Sequence, residues 1–167
     1  MALSPDDLLA RLEALGIAHT THRHPAVFTV EEARAHCGHL PGCHCKNLFL
    51  KDKKGQLWLV VARDDAAIDM KSLDRTIGAA RLSFGRPELL AEVLGVVPGA
   101  VTPFALANDV EGRVNVVLDA VMMEAELVNY HPLTNEATTA LSPQGLLAFL
   151  RSTGHEPAIL AIDGPAA

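Results

Sequence analysis

Residues Leu57-Trp58-Leu59-Val60-Val61 form an apolar run without a polar residue to alternate against, which marks a strand covered on both faces. Such a strand belongs inside a sheet with packing layers on either side. Leu48 to Lys51 reads as its antiparallel partner, because Asp52-Lys53-Lys54-Gly55 between them is a turn sequence. Immediately before that partner stands Lys46-Asn47, a polar pair at the mouth of a buried strand. The composition allows the burial this requires. The chain has 167 residues, 49% of them hydrophobic, enough for one substantial core and short for two, so one domain over 1–167 is expected.

Helix signals flank this hairpin. Ser4-Pro5-Asp6-Asp7 opens an amphipathic helix through Leu8, Leu9, Leu12 and Leu15, which Gly16 stops. Residues 17–24 read as a strand with His19, His22 and His24 on one face. Thr29 and Glu32 make a capping box for a short helix to Cys37, closed by Gly38. Asp69 caps a helix over 70–77, residues 81–84 read as a strand, and Pro87 starts a helix that Gly95 stops.

Residues 96–104 are apolar but carry two prolines and a glycine, which excludes a central strand or a helix interior. Residues 105–108 and 114–118 are expected to form a second hairpin, followed by a helical turn over 119–123. Residues 126–130 and 137–141 form a third strand pair around His131-Pro132-Leu133-Thr134-Asn135, Ser142-Pro143 opens a last helix to about Ser152, and residues 157–162 suit an edge strand. No repeat or low-complexity segment interrupts this order. Strands and helices alternate irregularly, which predicts an α+β fold: a mixed β-sheet or barrel core surrounded by helices.

Several function classes lose their support. There is no Gly-x-Ser-x-Gly elbow, no phosphate loop ending Gly-Lys-Ser/Thr, no Gly-x-Gly-x-x-Gly and no His-Glu-x-x-His. The formal charge of −6 rules out a general basic surface, so a nucleic acid must bind locally. No apolar run is long enough to cross a bilayer and the first residues lack signal-peptide features, so a cytoplasmic protein without membrane contact is expected. The odd count of three cysteines, Cys37, Cys43 and Cys45, suits a reducing compartment. With His36, His39 and His44 they crowd potential zinc ligands into one run, but the spacing fits no standard zinc site.

The remaining candidates are Lys46 with Asn47, able to set an ammonium and a carboxamide beside an anionic or carbonyl group, and Gly99 to Pro103, whose ends favour close and rigid backbone approach. His131 in a turn is suited to hydrogen bonding or proton transfer near neutral pH.

The ordered set His24-Pro25-Ala26-Val27-Phe28-Thr29-Val30-Glu31-Glu32-Ala33, Leu40-Pro41-Gly42, Lys46 to Lys54, Gly99-Ala100-Val101-Thr102-Pro103-Phe104 and His131 to Asn135 resembles the YbaK-like aminoacyl-tRNA deacylases related to the editing insertion of bacterial prolyl-tRNA synthetase. Within that family the chain looks most like the free-standing ProX/PrdX branch of the ProXp-ala type. The likeness runs from about Leu8 to Phe149. It implies hydrolysis of alanine mischarged onto proline tRNA, at the acceptor end, with no cofactor and no required metal.

The resemblance also implies that Lys46 is the essential lysine, with Gly99 and His131 at the reacting centre. Asn47, Phe28, Val30, Ala100, Val101, Thr102 and Pro103 are then the substrate-binding set. Removal of cysteine or serine from tRNA, and a non-catalytic tRNA-binding module, are the competing roles. Prolyl-tRNA synthetase and an elongation factor are the further partners that a trans-editing role brings into view.

Overall fold

A computed structural model describes residues 2–163. At its centre β2 (Cys43–Asp52) and β3 (Leu57–Arg63) pair antiparallel, with Leu48 opposite Val60 and Lys46 opposite Ala62. The turn between them is wound around Asp52. Its Oδ1 accepts from the amides of Lys54 and Gln56, both at 2.9 Å, and its Oδ2 from Trp58 Nε1 at 3.2 Å and Ala80 N at 3.3 Å. Burial pushes this carboxyl's pKa up, but the four donors outweigh it and hold the group below the ordinary carboxylate range.

The remaining strands are β1 (His19–Arg23), β4 (Leu82–Phe84), β5 (Val114–Asp119), β6 (Val128–Tyr130), β7 (Ala137–Leu141) and β8 (Ala158–Leu160). They build one eight-stranded mixed sheet in the order β1-β7-β6-β2-β3-β5-β8, with β4 beside β2. The β2/β6, β3/β5 and β5/β8 pairs are parallel and the rest antiparallel.

Two-sided burial of β3 follows its alternation. Leu57, Leu59 and Val61 enter the larger core, and Val60 and Ala62 enter a smaller one on the opposite face. The larger core is covered by α1 (Pro5–Ala14), α4 (Pro87–Leu94) and α5 (Pro143–Ser152), the smaller by α3 (Met70–Ile77). Phe104 lies at the middle of the larger core, edge-on to Tyr130 and Phe149. The α+β expectation therefore holds, as do the helices over 70–77 and from Pro143 and the edge strand near 158.

Three local expectations are corrected. β2 begins at Cys43, earlier than its apolar residues indicate, because Cys43 and His44 pair with Val128 and Asn129 of β6. Lys46 therefore lies within the strand. Residues 105–108 are not one arm of a hairpin: Pro103–Asn108 is a 3-10 helix whose first turn Thr102 caps, its Oγ1 accepting from Phe104 N at 3.3 Å. The buried carboxylate of Asp109 then receives the amides of Arg113 and Val114 and launches β5, which lies parallel between β3 and β8. The histidines do not share a face either. An odd spacing separates His19 from His22, and His24 falls beyond the end of β1.

Asp52→Ala leaves buried donors without an acceptor and is expected to cost on the order of 2–4 kcal/mol in urea denaturation. Since its folded pKa lies below the unfolded one, the carboxylate's contribution is fully present above the unfolded value and fades as pH falls through the folded one. Asp52→Asn should accordingly weaken the pH dependence of stability in the acid range.

Candidate functional site

β2 is bonded along one edge by β3. Along its other edge β6 pairs at Cys43 and His44 and β4 pairs at Leu50 to Asp52, while the Gly85 amide reaches Phe49 O. Among the described residues, no strand pairs with that edge at 46–48. Beside this opening lies a cavity of about 220 Å³, bordered by Phe28 and Val30, by Lys46 and Asn47, by Gly99 and Val101, and by His131. This volume falls below the range that holds drug-sized ligands and suits a small group.

Each wall has a local cause. Thr29 caps α2 (Val30–Cys37) by accepting from Glu32 N at 3.0 Å. Helical periodicity then turns Val30, Ala33, Arg34 and Cys37 toward the cavity. Arg34 reaches across to Asp64 just beyond β3, its Nε 3.1 Å from Oδ2, and the carboxylate raises the guanidinium's pKa. Phe28 exposes 65% of its surface at the rim.

Gly99 sits at φ +93°, and a Cβ there would stand 3.3 Å from the Phe28 ring and 3.5 Å from Asn135 Nδ2. Asn135 in turn donates to Val27 O at 2.9 Å, tying the His131 loop to the segment that carries Phe28. Of the Gly99 to Pro103 segment, Gly99 and Val101 border the cavity. Ala100, Thr102 and Pro103 do not. Ala100 is packed in the core, and Thr102 and Pro103 start the 3-10 helix behind the loop, so they shape it without facing the space.

Lys46 Nζ donates to Ala66 O at 2.6 Å. An ammonium has three donors, so two remain for a ligand among the described residues. Asn47 is its neighbour on a strand, and alternation sends the two side chains to opposite faces of β2. The Asn47 Oδ1 is buried and has no hydrogen-bond partner among the described residues.

His131 Nδ1 lies 2.8 Å from Ala137 O, which can only accept, so Nδ1 carries the proton and the neutral ring keeps its lone pair on Nε2. Burial pushes the imidazole pKa below its ordinary 6.5, opposed by the bond to Ala137 and aided by His24, whose ring centroid is 6.1 Å away.

Behind the opening the wall is uncharged. Burial drives the Tyr130 hydroxyl's pKa well up, and burial with the neighbouring Cys43 thiol does the same to Cys45, while the Cys45 contact lowers that of Cys43. All three cysteines are free, with Cys43 and Cys45 Sγ atoms 4.0 Å apart. Among the described residues no group of three His, Cys, Asp or Glu side chains is placed to hold a metal ion. Cys37 stands on α2 and the other two on β2.

A profile of the aminoacyl-tRNA editing domain family matches residues 24–149. The chain belongs to that family. It is 45% identical over 158 residues to the prolyl-tRNA synthetase associated domain-containing protein 1 of Bos taurus, covering 92% of each chain. It is 38% identical over 149 residues to the prolyl-tRNA editing protein ProX of Acetoanaerobium sticklandii, covering 89% of this chain and 91% of that one. A solved structure described as a putative trans-editing enzyme for prolyl tRNA synthetase shares the fold, with a TM-score of 0.69 at 24% identity over 96% of this chain and 99% of that one. As an editing domain the protein is a hydrolase, an aminoacyl-tRNA deacylase. Among the described residues no helix is long and apolar enough to cross a membrane.

Asn135 was part of the His131 to Asn135 motif, whereas Arg34, Asp64 and the Ala66 carbonyl were not singled out from the sequence. Only Arg34 carried a signal there, since it follows Val30 by one helical turn.

Gly112 is also at positive φ, +70°, but a Cβ there meets nothing within 4 Å. Gly112→Ala is expected to cost about 1 kcal/mol and Gly99→Ala about 2 kcal/mol by urea denaturation, the difference reporting the contact with Phe28 and the less favourable backbone.

Proposed function

We propose that this deacylase removes alanine from mischarged proline tRNA as a free-standing editing domain, using Lys46 as its principal side chain. The observation that carries the reading is the meeting, around one small cavity, of an ammonium with two donors free, a glycine-turned loop and a neutral imidazole. An aminoacyl ester is already activated. What its hydrolysis needs is a positioned water and a place for the charge that develops on the carbonyl oxygen.

In this reading Lys46 binds the carbonyl region or the adjoining phosphate, and the backbone of the Gly99 loop lies along the attacked carbon. Water adds to that carbon, the bond to the ribose oxygen breaks, and alanine leaves as the carboxylic acid while the tRNA regains its hydroxyl. One proton of the water is taken up by His131 Nε2, or relayed through the neighbouring ribose hydroxyl, and is delivered to the departing ribose oxygen. Phe28 and Val30 close the amino-acid end, where a methyl group fits more readily than a pyrrolidine ring. Steric exclusion has to provide the selectivity, since a methylene-sized difference is worth only about 1–3 kcal/mol of binding.

The RNA would meet a groove of mixed charge, in which Asp52, Glu88 and Glu92 stand among the basic residues. Lys51, Lys53, Arg81 and Arg86 line a groove beside β4, around Phe84, which is 63% exposed. Lys51 is five residues along β2 from Lys46, roughly 17 Å at the rise of a strand, and the odd step turns it to the opposite face of the strand.

The deciding experiment incubates the protein with proline tRNA carrying alanine, proline, cysteine or serine. Alanine is expected to leave fastest and proline slowly, with Lys46→Ala reduced about 100-fold or more. Equal hydrolysis of all four esters overturns the alanine assignment, and full activity of the variant overturns the role of Lys46.

The pH profile divides the two proton routes. His131 is neutral at pH 7 because its pKa lies below 6.5, so a route through Nε2 gives a kcat/KM that is flat near neutrality and falls on acidification below that value. His131→Asn removes this fall. A wild-type profile without it assigns the proton to the ribose.

A further inference from the structure

Among the described residues one carbonyl holds the Lys46 ammonium, that of Ala66, in the turn that leaves β3. The carbonyl of Ala66 and the amide N–H of Ala67 are two ends of one planar peptide group. That N–H donates to Asp163 Oδ1 at 2.8 Å. The other carboxylate oxygen of Asp163 meets Arg63 Nη2, and Arg63 Nε is held 3.2 Å from Oδ2 of Asp119, which is fully buried. Asp65 faces the same guanidinium at 3.6 Å, and the Ala66 amide donates back to Arg63 O at 3.1 Å. The turn is therefore fastened at Arg63, at Ala66 and at Ala67.

We propose that Asp163 is a positioning residue for the deacylation, acting on Lys46 through the Ala66–Ala67 peptide group. The carboxylate fixes the plane of that group and, by polarising it, strengthens the carbonyl at its other end as an acceptor. Without it the plane is free to rock, and the ammonium at the end of a four-carbon stem follows. This inference rests on the reading of Lys46 given above. It reaches a residue from beyond β8, more than one hundred positions away from Lys46 in the chain.

Asp163 is partly exposed, so its replacement should leave the protein folded. Single-turnover deacylation by Asp163→Ala is expected to fall about 10-fold at saturation, with KM within about twofold of the parent, the pattern of a misplaced group. Asp163→Glu should recover part of the rate. In a Lys46→Ala background the same change should cost nothing further.

A second readout does not depend on turnover. The acylation rate of Lys46 by an amine-reactive ester, followed by peptide mass spectrometry, is expected to rise severalfold in Asp163→Ala. An unchanged rate of labelling, or an equal loss of activity with and without Lys46, overturns the positioning role. Absence of alanine release by the parent protein instead overturns the functional reading, and the labelling comparison still decides whether Asp163 holds the lysine.

Discussion

One strand has two edges, and the use made of the second edge of β2 decides the rest. β3 covers the first edge without a gap, but the second is shared by β6 at one end and β4 at the other. The neighbours diverge between them, and the backbone at 46–48 is left beside open space instead of a ladder. A hydrophobic run there would have closed the gap by packing. The sequence instead puts Lys46 and Asn47 at this point, so the break in the sheet becomes a lined cavity with a cation at its edge.

The environment divides into a charged mouth and an uncharged wall. Arg34 and Asp64 pair across the mouth, joining α2 to the end of β3. The wall is made of groups that burial keeps neutral, the Tyr130 hydroxyl, the Cys45 thiol and the His131 imidazole. A lone ammonium acts over a longer range against such a wall than it would in open water. That arrangement suits an ester whose carbonyl oxygen gains charge only as water adds, which is the direct attack by water proposed above.

The elements with a strong local signature were legible in advance. The apolar run 57–61 announced a strand covered on both faces, the Asp52 turn announced its hairpin, and Thr29 announced α2. Lys46, Gly99 and His131 each stood out by residue type, but only the motif resemblance joined them into one site, because nothing in the spacing of three positions so far apart indicates that they meet. What stayed hidden was decided by distant partners. The early start of β2 depends on β6, and the parallel setting of β5 depends on β3 and β8. The burial of Ala100, Thr102 and Pro103 depends on the 3-10 helix behind them. The Ala66 carbonyl that receives Lys46 is a backbone group and leaves no trace in a sequence.

In the proposed reading the aminoacyl end of the RNA occupies the gap beside β2. Amide NMR shifts on titration with adenosine carrying a non-hydrolysable alanyl amide at its 3′ position test this most directly. Shifts concentrated at Phe28, Val30, Lys46, Asn47, Gly99 and Val101, and lost in Lys46→Ala, are the predicted result. Saturable shifts confined to other surfaces, with these six amides unmoved, would contradict it.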